Sequence, residues 1–323
     1  MNRFELVQAR SLPEARSLRG EKPGAVFKAG GIDLLDHLKE RLVEPPRIVD
    51  IRSIPALRGI KPAADGSLVL GALSTLAEIA ASAPVGKSHR ALAQACGEAA
   101  SPQIRNVATV GGNVLQRPRC WYYRLESYPC LKKGGDVCYA ATGENRYHAI
   151  FGGDPEFIVH PSNAAVPLVA FGASFVLDGP KGVRSVPAAE FFASPKVDPK
   201  KENVLAEGEL LVEIRVPALP GMRSAYADVR ERAGFDWPLV SMAAGLRIDG
   251  GIIRDARVVL GAVAPIPWRS VKAEAALMGQ KADGATFAAA AEAAVAGAEP
   301  LEHNRYKIDL VRTLVRRTLA SLA

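Results

Sequence analysis

The stretch from Ala25 to Ile51, AVFKAGGIDLLDHLKERLVEPPRIVDI, constrains the fold more than any other part of the chain. It reads as strand, glycine-rich turn, amphipathic helix, Pro-Pro break and strand. Leu34, Leu35, Leu38 and Leu42 recur at helical spacing, and Ile48, Val49 and Ile51 supply the returning strand. Two strands joined through a helix make a small βαβ unit. SLVLGALSTLAEIAAS then reads as strand and helix, followed by a helix in SHRALAQACGEAA and a loop in SPQIRNVATVGGN.

After Gly153 the pattern turns to strands and connections, with EFIVHP, ASFVLDG and LLVEIRVP as the apolar runs. A Pro/Gly-rich stretch from Pro217 to Ser224 marks a boundary. Beyond it a strand hairpin turns at Asp249-Gly250-Gly251, and two helices follow in ATFAAAAEAAVAGA and YKIDLVRTLVRRTLASL. The expected class is α+β, with a first domain over residues 1–221 and a second over 222–323.

Composition narrows the function. Of 323 residues 48% are hydrophobic and 23% charged, enough apolar material for a core. The net charge of +7 is spread among 34 acids with no basic tract, so a solvated surface or an acidic partner is expected and nucleic acid is not. Glycine, proline or charge interrupts every apolar run before it reaches membrane-spanning length. MNRFELVQARSLPEARSL lacks the apolar core of a signal peptide, which points to the cytoplasm, or to export in the folded state with a signal-bearing partner.

Two glycine pairs stand where a backbone can approach an anion. Ala29, Gly30 and Gly31 separate a strand ending at Lys28 from a helix starting near Asp33, whose free N–H groups offer hydrogen bonds. TVGGN, from Thr109 to Asn113, repeats the pattern with Thr and Asn as added side-chain donors. One such pair is most simply a tight turn. Two with polar flanks suit a cofactor with two phosphates, and neither fits the G-x-G-x-x-G fingerprint of a nicotinamide enzyme.

Cys120, Cys130 and Cys138 fall within 19 residues of a segment rich in Gly, Pro and aromatics. Structural zinc wants a closely spaced C-x(2–4)-C pair, which is absent. Iron–sulfur clusters accept wider spacing but often take four thiolates, and buried small side chains are the plain alternative. Cys96 lies in an Ala-rich helix, where core packing explains it. The five histidines are dispersed, with His148 and His160 flanking the cysteine segment.

KAGGIDLLDHLK and SPQIRNVATVGGN resemble the two FAD-pyrophosphate motifs of the flavin subunit of the xanthine dehydrogenase family of molybdenum hydroxylases. The resemblance continues through LVLGALSTLAEI, HPSNAAVPLVAFGA, YADVRERAGFDWPLVSMAAGL and NRYKIDLVRTLVRRTL, so it covers essentially the whole chain. The cysteine segment is similar to that of the periplasmic aldehyde oxidoreductase type and, more loosely, of 4-hydroxybenzoyl-CoA reductase, whose inserted loop carries an additional [4Fe-4S] cluster.

The resemblance implies a PCMH-type FAD-binding domain followed by a smaller carbon monoxide dehydrogenase flavoprotein-like domain. It implies that Val26, Phe27, Lys28, Ala29, Gly30, Gly31, Ile32 and Asp33 wrap one side of the FAD pyrophosphate, and Thr109, Val110, Gly111, Gly112 and Asn113 the other. Cys120, Cys130 and Cys138, in a loop over 116–156, match three cluster ligands; Glu156 falls where the relatives place the fourth cysteine. Asp228 replaces a flavin-contacting lysine, a reversed charge that cannot serve an anion. The implied partners are a molybdopterin-binding large subunit and a [2Fe-2S] small subunit. The implied role is passing electrons from iron–sulfur centres through FAD to an external acceptor, with an aldehyde or an aromatic or heterocyclic compound oxidised on the molybdopterin subunit. No side chain stands out as a catalytic acid, base or nucleophile. The rival readings are a self-contained flavin oxidase and a zinc-stabilised interaction module.

Overall fold

Strand pairing sorts the chain into three sheets in the computed structural model, which describes residues 1–232 and 234–323. The first is parallel, in the order Glu5–Gln8, Arg47–Asp50, Val26–Lys28, and its central strand is buried at every position. Parallel neighbours need a crossover, and the helix Ile32–Lys39 supplies it. The helix stops short of Leu42 because Arg41 takes a left-handed conformation (φ 58°). The strand Glu5–Gln8 was not foreseen. Only a half-buried Val7 interrupts its exposed residues, which leaves almost no alternating pattern to read.

The second sheet is antiparallel, in the order Ile60–Pro62, Leu68–Gly71, Leu210–Val216, Ser174–Gly179, Gly182–Pro187. The third, also antiparallel, runs Trp268–Arg269, Ile252–Gly261, Val240–Asp249, Arg223–Val229. Its long hairpin turns at Gly250 and Gly251, both at positive φ (56° and 78°), as a two-residue hairpin loop requires.

Two-residue periodicity gives the third sheet two apolar faces. Met242, Ala244 and Leu246 pack with Val258 and Leu260 toward the helices Val271–Leu277, Gly284–Val295 and Tyr306–Ala320. Ala243 and Val259 point the other way, into the large core that holds the fully buried helix Ala165–Ala170. Each fully buried Val or Leu contributes ~1.5–3 kcal/mol, so the third sheet is held from both sides.

EFIVHP is not a strand. Glu156, Ile158 and His160 do alternate inward as a strand's residues would. Among the described residues, however, the backbone is stitched only at single points, Ala149 N–H to the Phe157 carbonyl and His160 N–H to the Ala264 carbonyl. Cys96 is fully buried in its helix, as core packing predicts.

Candidate cofactor site

At the end of Val26–Lys28 the chain turns through Gly31, whose φ of 84° favours glycine, into the helix Ile32–Lys39. Among the described residues no side chain caps this helix, so its first-turn N–H groups stay open to an anion. Gly30 lies against the opposite loop; a Cβ there would come 2.2 Å from the Val107 carbonyl oxygen.

Across the gap, the Thr109 hydroxyl accepts the Gly112 N–H at 3.1 Å, and the Gly111 N–H is bound to the Ala72 carbonyl. The Asn113 carboxamide oxygen accepts from the Ser162 hydroxyl at 2.7 Å and from the Ala164 N–H at 3.2 Å. Thr109 and Asn113 therefore spend side-chain oxygens inside the protein, organising the loop. Gly111 is bare because Ala72 leaves no room, with a Cβ placed 2.9 Å from its carbonyl oxygen.

Both loops face one cavity of about 400 Å³. Phe27, Lys28, Ala29, Gly30, Gly31, Ile32 and Asp33 line one side, and Thr109, Gly111, Gly112 and Asn113 the other. Val26 and Val110 are not on its wall. The wall also includes Asn163, Asp236, Trp237 and Pro238, so residues from both halves of the chain close it. A second cavity of about 340 Å³ shares Arg119, Asn163, Asp236, Trp237 and Pro238 with the first and continues along Trp121, Tyr147, His148 and His160.

Asp33 does not offer its carboxylate to the cavity as a free group. It accepts the Arg117 N–H at 2.9 Å and pairs with Arg124 at 2.9 Å and Arg119 at 3.0 Å. Burial pushes its pKa up, but Arg119, His37, the Arg117 N–H and Arg124 outweigh this and hold it below the ordinary value. Asp33 thus bolts the start of the cysteine loop onto the cofactor helix. Arg119 also lies over Trp237, 4.6 Å from the ring centroid, and its Nε is buried with no protein partner. Sequence reasoning missed these arginines, although QRPRCWYYR displays three of them.

Cys120, Cys130, Cys138 and Glu156 line one small void of about 10 Å³, the space of a single water. Burial pushes the Cys120 thiol up to about 12, and Cys138 moves the same way. Glu156 pairs with Lys132 at 3.2 Å, and Lys132 also pairs with Glu202 at 2.9 Å. Burial raises Glu156 to about 7 despite that cation. His148 Nε2 lies 3.2 Å from Cys120 Sγ. His160 stays apart from the thiols and packs edge-on against Phe192. Among the described residues no three His, Cys, Asp or Glu donors converge tightly enough for one metal ion. A cluster makes a different demand, since each thiolate binds a different iron, and the thiols would have to part for this void to admit one. Asp228 pairs with Arg230 and receives the Tyr226 hydroxyl, and it lines neither large cavity.

A two-part α+β chain with a split cavity, an open helix terminus and an unpartnered arginine nitrogen fits a large anionic cofactor. A family model described as the FAD binding domain in molybdopterin dehydrogenase matches residues 2–219. The CO dehydrogenase flavoprotein C-terminal domain matches residues 224–322. The chain is 36% identical to the FAD-binding subunit of aldehyde oxidoreductase of Escherichia coli, over 100% of this chain and 98% of that one. It is 32% identical to the carbon monoxide dehydrogenase medium chain of Hydrogenophaga pseudoflava, over 98% and 96%. The solved carbon monoxide dehydrogenase of that organism superposes with a TM-score of 0.79 at 32% identity, over 99% of this chain and 97% of that chain. Quinoline 2-oxidoreductase of Pseudomonas putida 86 gives 0.78 at 27%, with the same coverage.

This chain belongs to the family of FAD-binding subunits of molybdopterin dehydrogenases. It is a flavoprotein electron-transfer component of an oxidoreductase complex, and FAD is its cofactor. Among the described residues no helix is long and apolar enough to cross a membrane.

Proposed function

We propose that FAD lies along the two joined cavities, held by residues 27–33 on one side and by Thr109, Gly111, Gly112 and Asn113 on the other, in a domain ending near residue 221. The loop 116–156 would carry a [4Fe-4S] cluster on Cys120, Cys130 and Cys138, with the Glu156 carboxylate at the fourth iron. If Glu156 turns to iron, Lys132 keeps Glu202 as its partner. The partners are a molybdopterin-binding large subunit and a [2Fe-2S] small subunit, and the complex oxidises an aldehyde or an aromatic or heterocyclic compound. FAD supplies the redox chemistry; the chain's residues bind it, orient it and keep it beside the thiols.

The observation that carries this reading is the position of Cys120. It lines both the second cavity and the thiol-lined void, so the two sites share a wall one residue thick. The test is anaerobic purification of the chain co-expressed with its genomic neighbours, as wild type and as Cys130→Ser. A complex that contains molybdenum, and loses about four irons per flavin in the variant while keeping FAD, supports the reading. Equal iron in the two preparations removes the cluster from this loop, and a chain that purifies alone with full substrate oxidation removes the subunit assignment.

A further inference from the structure

We propose that His148 donates a hydrogen bond from Nε2 to the sulfur of Cys120 and so raises the reduction potential of the cluster, and that the C-terminal part of the chain holds the imidazole there. This rests on the cluster reading above and deepens it.

The geometry sets the direction of the bond. Nε2 and Sγ are 3.2 Å apart, and His148 is buried. Nδ1 is buried without a partner in good hydrogen-bonding geometry, the Asn145 carbonyl lying near the ring, so among the described residues the sulfur takes the ring's best-formed hydrogen bond. A thiol can offer its proton to the ring; a thiolate bound to iron has none to offer. Once Cys120 ligates, the proton must sit on Nε2, and ligation fixes the tautomer. A donor to a ligating sulfur withdraws electron density and favours the more negative, reduced cluster.

The ring has little freedom to leave. Trp121 packs edge-on against it, with centroids 5.5 Å apart. Its backbone is clamped from the other end of the chain: Asn304 Nδ2 donates to the His148 carbonyl at 3.2 Å and the Ala149 carbonyl at 3.1 Å. Lys307 Nζ donates to the Tyr147 carbonyl at 3.0 Å and the Ala262 carbonyl at 2.8 Å. Asn304 and Lys307 are themselves buried, so these donors have no solvent alternative. His148 also lines the second cavity, which puts it between the thiols and the cofactor cleft.

The experiment is an EPR-monitored redox titration of the complex as wild type, His148→Phe and His148→Gln, with iron and flavin counted in each. The expected result is full iron throughout, a more negative midpoint potential in His148→Phe, and an intermediate value in His148→Gln, which keeps an N–H donor. An iron-replete His148→Phe complex titrating at the wild-type potential overturns the proposal. Proton ENDOR on the reduced cluster gives a second readout, since backbone N–H groups of Tyr122 and Tyr123 also reach the Cys120 sulfur and exchange in D2O. An exchangeable coupling present in wild type and missing from His148→Phe supports the bond, and identical spectra overturn it. A wild-type loop without iron defeats the cluster reading itself, a result distinct from either.

Discussion

Replacing Asp33 by Asn tests whether one carboxylate fastens the cysteine loop to the cofactor helix. The substitution keeps the shape but removes the charge that Arg119 and Arg124 face and weakens the acceptor of the Arg117 N–H. Removing one partner from a fully buried ion pair costs about 3–5 kcal/mol. Here the arginines are not stranded: Arg124 keeps Glu40 at 3.1 Å and the Pro118 carbonyl at 2.9 Å, and Arg119 keeps Asp36 at 3.7 Å. The expected loss is therefore ~2 kcal/mol, at the charged-hydrogen-bond level. Equilibrium urea unfolding of the two proteins measures it. The sign with pH follows from the lowered pKa of Asp33, whose ordinary value is 3.8. Its stabilisation is complete above that value and is lost as pH falls through the lower, folded-state pKa. The difference between the two proteins should thus be constant from about pH 7 to 5 and shrink below about pH 4. A difference under about 0.5 kcal/mol at neutral pH would refute the anchoring role.

Gly111→Val and Gly112→Val should separate packing from cofactor contact. The first drives a side chain into Ala72 and should cost ~1–3 kcal/mol in urea. At Gly112 a Cβ meets only the Thr109 hydroxyl, at 3.1 Å, so flavin retained after desalting should fall with a stability change under ~1 kcal/mol. Full flavin in Gly112→Val would take that residue off the binding surface. Cys96→Ala should lower stability by ~1 kcal/mol and leave iron per flavin unchanged; loss of iron would show that the helix cysteine matters to the cluster.

The βαβ unit was legible because its helix and strands have different periods, and the hairpin because Asp-Gly-Gly permits little else. EFIVHP misled because buried Glu156 and His160 imitate the inward half of a strand, while pairing depends on neighbours that sequence does not display. The bond between Asp33 and Arg124 spans 91 positions, and no local pattern announces it. Lys307 was detectable. It falls on the helical stripe of Val311, Leu314, Val315 and Thr318, and a lysine on an apolar stripe asks for buried acceptors. The second cavity was not, since it forms where residues 119–121, 147–148, 159–163, 231–232, 236–239, 241 and 262 meet.

The third sheet, apolar on both faces, bears on how the molecule comes apart. Produced without residues 1–219, it would present Tyr226, Ala243 and Val259 to water, where the helix Ala165–Ala170 and its neighbours now cover them. A fragment with such a face aggregates or seeks a substitute helix. The intact chain should therefore melt in one cooperative transition. A chimera that borrows its C-terminal third from a relative must import a matching Ala165–Ala170 helix with it.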